Sequence, residues 1–138
     1  MAWPRDTAQI VATLNRALGM ADWAVNVETW HATIAPDPAN RVADLALADG
    51  PTDRKQAISW LCHEIAHAYV SRFLSDLTDQ ASAIRWDALA TDLVKRIGED
   101  AANEAIDAAQ LDGDEFDQED FADALETILA TRLRRGMK

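Results

Sequence analysis

The sequence predicts an α+β fold that is mostly helical, with a small two- or three-stranded sheet preceding one long helix. Three observations carry this. The apolar period is helical from residue 6, switches to two at Trp23, and turns helical again after Thr52. The period-two stretches are short and are punctuated by Pro36, Pro38 and Asp49-Gly50-Pro51. After residue 52 the remaining chain reads as helices separated by polar breaks.

Taken in order, Asp6 is placed to cap a first helix, with Gln9 completing a capping box. Ile10, Val11, Leu14 and Leu18 form its apolar face, and Gly19 ends it. Trp23, Val25 and Val27 alternate with Ala24, Asn26 and Glu28, which predicts a strand. Trp30, Ala32 and Ile34 predict a second strand, broken by Pro36 and Pro38. Val42 to Leu47 predicts a third, read as an edge strand.

Thr52 or Asp53 caps a long helix running to about Leu74. Ile58, Leu61, Ile65, Tyr69 and Phe73 line one side, and Trp60, His63, His67, Val70 and Leu74 the other. A helix apolar nearly all round is expected to be buried. Residues 76–82 form a polar break. Trp86 to about Gln110 is helical again, with Gly98 placed to kink or interrupt it. Leu111 to Gln118 is an acidic loop, and a last helix runs from Asp117 or Gln118 to about Leu133.

The 138 residues suit one domain able to bury a core without disulfide or metal staples. Cys62 is the only cysteine, so no internal disulfide forms. A formal net charge of -11 argues against binding nucleic acid, which needs a basic face, and against an anionic membrane surface. No apolar run reaches the ~18 residues of a membrane span, and the N-terminal residues lack the apolar stretch of a signal peptide. A cytoplasmic protein is expected.

The chemistry concentrates in His63-Glu64-Ile65-Ala66-His67, an H-E-x-x-H word in the middle of the long helix. Histidines four apart share one helix face and can point at one metal ion. The intervening Glu64 can reach water beside that ion and act as general base. Two of the chain's three histidines lie in this word, and buried imidazoles are costly as filler. A third zinc ligand is still required. Position 73, where a third histidine would complete one large class, is Phe; His31 lies upstream, out of the usual order. Glu119, with Asp123 one turn on to orient a ligating histidine, is the preferred third ligand. Glu104, with Asp107 at +3, is the alternative, and Glu99 the next candidate. Cys62 points about 100° from His63 and is expected to pack in the core. Trp60, one turn before His63, is a candidate wall for the metal site. The acids at 112, 114, 117, 119 and 120 do not fit a calcium loop, because Phe116 and Asp117 occupy positions that need a ligand and a glycine.

On these residues the chain resembles the zincin-type metallopeptidases with a glutamate third ligand, the gluzincins. More narrowly, it is similar to small zincin-like proteins of phages and prophages. The likeness rests on Leu18-Gly19-Met20-Ala21-Asp22-Trp23, on Leu61-Cys62-His63-Glu64-Ile65-Ala66-His67-Ala68, and on a Glu-x-x-x-Asp matched by Glu119 and Asp123. Phe121, Asp123, Leu125 and Thr127 match the helix around the zinc glutamate of thermolysin-like enzymes, whereas Asn103-Glu104-Ala105-Ile106 matches their Asn-Glu-Ala-Ile word. A weaker likeness to the phage-repressor-cleaving peptidases, through Ala102-Asn103, favours Glu99. The resemblance implies a zincin-like fold and a single metallopeptidase domain over residues 1–138. It implies Zn²⁺ held by His63, His67 and Glu119, Asp123 behind them, and hydrolysis of a peptide bond by zinc-bound water with Glu64 as base. It implies a protein or peptide substrate, with the Val42–Leu47 strand pairing with it, in the host cytoplasm where a phage encodes the protein. No oxyanion-stabilising residue follows the motif in a recognisable frame; Tyr69 and His31 are the candidates. The alternative expectation is a zinc-binding scaffold or interaction protein with little or no peptidase activity.

Overall fold

The computed structural model describes residues 4–22, 24–28, 33–37, 42–46, 51–76, 82–109 and 118–136. Five helices account for most of them: α1 (Thr7–Ala17), α2 (Arg54–Asp76), α3 (Ser82–Ile97), α4 (Glu99–Ala109) and α5 (Gln118–Arg134). Three five-residue strands, β1 (Ala24–Glu28), β2 (Thr33–Asp37) and β3 (Val42–Ala46), lie between α1 and α2.

The expectation of an α+β fold is corrected by where the core sits. Five helices make up the part of the chain whose side-chain burial is described, and the hydrophobic core found there comes from those helices and the turn that ends α1.

The strands pair in the order β1-β3-β2, with β1 parallel and β2 antiparallel to β3. The third strand is therefore central, not the edge strand that the sequence suggested, and both its sides are occupied by pairing within the chain. It cannot accept an added substrate strand. The second strand also runs on through Pro36, opposite Ala43, instead of breaking there. That is compatible with proline because β2 lies at an edge. The strand residues expected at Trp23 and at 29–32 lie outside the described residues.

Helix α1 buries Ile10, Val11 and Leu14 and closes with a Schellman turn. Met20 N–H donates to Asn15 O at 2.7 Å and Gly19 N–H to Arg16 O at 3.2 Å, with Gly19 at φ +70°. The expected capping box at its start does not form. Asp6 makes no capping hydrogen bond; its carboxylate instead receives both Nη atoms of Arg54, at 3.0 and 2.8 Å, joining α1 to α2.

Helix α2 contains neither glycine nor proline and is the hub of the packing. Asp53 caps it, accepting from Gln56 N–H at 2.8 Å, while Gln56 Oε1 accepts from Thr52 N–H at 2.6 Å. Ala57, Ile58, Leu61, Cys62, Ile65, Ala66, Ala68, Tyr69 and Val70 are buried. The half-buried positions — Gln56, Ser59, Trp60, His63, Glu64, His67 and Ser71 — recur at helical spacing and form one continuous stripe. The H-E-x-x-H word thus sits on the one side of a core helix that is not sealed.

Gly98, at φ +93°, separates α3 from α4 as the sequence predicts. Leu89, Leu93 and Ile97 of α3, Ala102 and Ala105 of α4, and Phe121, Ala122, Leu125, Leu129 and Ala130 of α5 complete the core. Polar ties fix the helices. Tyr69 Oη donates to Asp92 Oδ2 at 2.6 Å, linking α2 to α3. Arg132 of α5 donates to the carbonyl of Ile97, an orphan acceptor at the end of α3. Helix α5 packs along α2 more extensively than any other element, and that pairing builds the site.

Candidate metal centre

His63 and His67 project from α2 one turn apart, with ring centroids 4.8 Å apart and planes at 70°. Their Nε2 atoms face each other at 3.2 Å. Glu119, in the first turn of α5, reaches both: Oε1 lies 2.9 Å from His67 Nε2, and Oε2 lies 3.6 Å from His63 Nε2. On the far side of the His63 ring, Nδ1 faces Asp123 Oδ1 at 3.3 Å and Glu126 Oε1 at 3.7 Å. Glu119, Asp123 and Glu126 are spaced i, i+4, i+7, so one face of α5 supplies all three carboxylates. Glu119 meets both histidines while Glu126 meets only the earlier one, so the two helices pass each other in opposite directions here.

These distances fit one ion. Two donors held about 2.0–2.1 Å from a tetrahedral zinc lie roughly 3.3 Å apart. The two Nε2 atoms are 3.2 Å apart, and the Glu119 carboxylate brings Oε1 to 2.9 Å from His67 and Oε2 to 3.6 Å from His63, so the three residues could hold one ion between them. The donor set of two imidazoles and a carboxylate leaves a fourth tetrahedral position for water or substrate. The histidine side chains are 22% and 16% exposed and the Glu119 side chain 68%, so the site opens toward solvent on the α5 side.

No protein family, curated protein or solved structure matches this chain. The geometry therefore carries the reading of the site.

Glu64 lies in the same half-buried stripe, next to His63. Burial pushes its carboxyl above the usual glutamate range; His63 and His67 pull it back, and the Glu119 charge pushes it up again. It thus lies within electrostatic reach of all three residues that could hold the ion. Glu126 is also pushed up, first by burial, against a lowering by His63 and with a further rise from Asp123.

Of the residues proposed from sequence, His63, Glu64, His67, Glu119 and Asp123 are brought together. Glu104 and Glu99 are exposed on α4 and belong to neither carboxylate–histidine group found among the described residues. Tyr69 is fully buried with its hydroxyl on Asp92, which makes it a packing residue and not an oxyanion donor. His31 lies outside the described residues, as do positions 112, 114 and 117 of the acidic loop. Cys62 is fully buried, and loss of solvation pushes its thiol up to about 12, with the Glu126 charge adding to the rise. Trp60 is half-buried on the stripe that bears the histidines. The residue that sequence reasoning missed is Glu126. Its signal was present: it continues the Glu119, Asp123 spacing by three more residues.

Proposed function

We propose that the protein is a zinc-dependent metallopeptidase. The observation that carries this reading is the convergence of His63, His67 and Glu119 close enough to share one ion, with Glu64 beside them. A zinc ion held by these three residues supplies Lewis acidity, acidifying water and polarising a carbonyl. Glu64 takes the proton from the attacking water and delivers it to the leaving amine. Burial raises its carboxyl above the ordinary glutamate range, the direction that makes it a better proton acceptor. Asp123 and Glu126 both face the Nδ1 side of His63, where a carboxylate would keep that nitrogen protonated and the Nε2 lone pair toward the ion. The substrate class is a protein or peptide, which the open α5 side of the site can admit.

A second reading is a zinc-holding interaction protein that cleaves little. It is favoured by one observation: Tyr69, a candidate oxyanion donor, is committed to the core.

The experiment combines zinc stoichiometry with cleavage of a peptide library, with and without a chelator. One zinc per chain and chelator-sensitive cleavage are expected. Glu64→Gln is expected to lose at least about a hundredfold in cleavage while keeping its zinc. Glu119→Ala is expected to lose zinc, and Glu104→Ala to keep it. Zinc binding without cleavage establishes the interaction protein. Loss of zinc on Glu104→Ala alone overturns the assignment of Glu119.

A further inference from the structure

The His63 ring has two carboxylates on its outer nitrogen, not one. Bound through Nε2, an imidazole has a single N–H left to donate, at Nδ1. Asp123 Oδ1 is 3.3 Å from that nitrogen, and Glu126 Oε1 is 3.7 Å from it, an ion-pair approach just outside hydrogen-bond distance. The two acids differ in setting. The Asp123 side chain is 65% exposed, and that of Glu126 is 24% exposed. An exposed carboxylate exchanges its partner for water freely, and solvent screens its field. A half-buried one is restrained by packing and acts through a lower dielectric. Glu126 stands three positions before Leu129 and one after Leu125, both fully buried, so the helix that carries it is locked in the core.

We propose that Glu126 is the positioning residue of this centre: it holds His63 in the tautomer and ring orientation that present Nε2 to zinc, with Asp123 as a weaker, solvent-screened partner. The proposal rests on the metal reading above and adds to it a residue that touches neither the ion nor the substrate. It also accounts for a second grouping of possible ligands, His63, Asp123 and Glu126. A second ion there would have to displace the Nδ1 proton of a histidine already committed through Nε2. Neutral imidazole has only one lone pair to give, so orientation of His63 fits these atoms better than ligation.

The test uses the full chain with Glu126→Gln, Asp123→Asn and Glu126→Asp. Zinc affinity is measured by chelator competition, His63 ring ¹⁵N shifts by NMR with and without zinc, and thermal unfolding without zinc. Glu126→Gln is expected to weaken zinc binding by about 10–100-fold and to shift the His63 Nδ1 resonance. Asp123→Asn is expected to weaken it by less than about threefold, and Glu126→Asp to recover part of the loss. Unfolding temperatures of all variants are expected to stay near that of the parent, which separates positioning from a folding role. A Glu126→Gln protein that binds zinc as tightly as the parent overturns the proposal. So does a loss carried wholly by Asp123→Asn, or a parent that binds two zinc ions of which Glu126→Gln removes one. Should the parent bind no zinc, the metal reading fails by itself, and the metal-free ¹⁵N shifts still decide whether Glu126 holds His63.

Discussion

At the residue scale, burial sets the chemistry of each ionisable group on α2. Cys62 and His63 are neighbours in sequence, yet the 100° step along the helix sends one into the core and the other to the stripe facing α5. The Cys62 thiol, fully buried, is pushed from 9.0 to about 12 by desolvation, and the Glu126 charge adds to it. Its folded-state pKa is thus raised above the unfolded value. The stability linked to this thiol is fully present below about pH 9 and is lost as pH rises toward about 12. Two outcomes are expected. Urea midpoints of the parent fall across that window more steeply than those of Cys62→Ala. A thiol reagent at pH 8 labels the folded chain at least about a hundredfold more slowly than the urea-unfolded chain. Equal labelling rates exclude the buried placement.

At the element scale, termini and breaks are decided by a few backbone positions. Gly98 divides what would otherwise be one long helix. Its amide still donates to Val94 O at 2.9 Å, and its carbonyl accepts from Ala102 N–H at 3.0 Å. A Cβ built there meets nothing within 4 Å, so only its φ of +93° opposes substitution. Gly98→Ala is therefore expected to lower stability by about 1–2 kcal/mol in urea unfolding. An unchanged midpoint excludes the left-handed conformation. The break matters beyond local strain. It lets α3 and α4 take different directions, so that Ile97 presents its carbonyl to Arg132 and α4 packs against α5. This is also where sequence reading was most reliable: Gly98 and Gly19 mark ends at which a β-carbon would be strained, and both helices end there. It was least reliable where the partner is distant. Asp6 has the sequence context of a capping box, but Arg54, 48 residues away, takes its carboxylate. The charged, bidentate pairing outcompetes a neutral N–H donor.

At the scale of the whole molecule, the site is a seam between two helices far apart in the chain. Helix α2 supplies the histidines and Glu64, and α5 supplies Glu119, Asp123 and Glu126. Metal bound across that seam is expected to stabilise the packing of α2 on α5. An ion at 100 times its dissociation constant adds roughly 2.7 kcal/mol, about 10 °C in melting temperature for a chain of this size. Calorimetry with and without zinc checks this, and Glu119→Ala is expected to abolish the increment. A zinc-independent melting temperature in the parent excludes a shared ion between the helices. Among the described residues no helix is long and apolar enough to cross a membrane, in keeping with the sequence.

The amino-acid sequence by itself determined the local features. Periodicity set the helical stretches, with 86–110 read as one that Gly98 could interrupt; Asp53 and the glycines set several of their ends, and the i, i+4 spacing set His63 and His67 on one face with Glu64 beside them. These follow from interactions between residues a turn apart, which a linear text records directly. Only the tertiary structure decided the rest. It brought Glu119, and not Glu104, to the histidines by laying α5 along their stripe while leaving the Glu104 side of α4 in solvent. It added Glu126 and placed β3 between its neighbours. The physical reason is common to all of these. Which carboxylate meets a histidine more than 50 residues away depends on how helices pack, and packing is a sum over the whole core that no local pattern encodes.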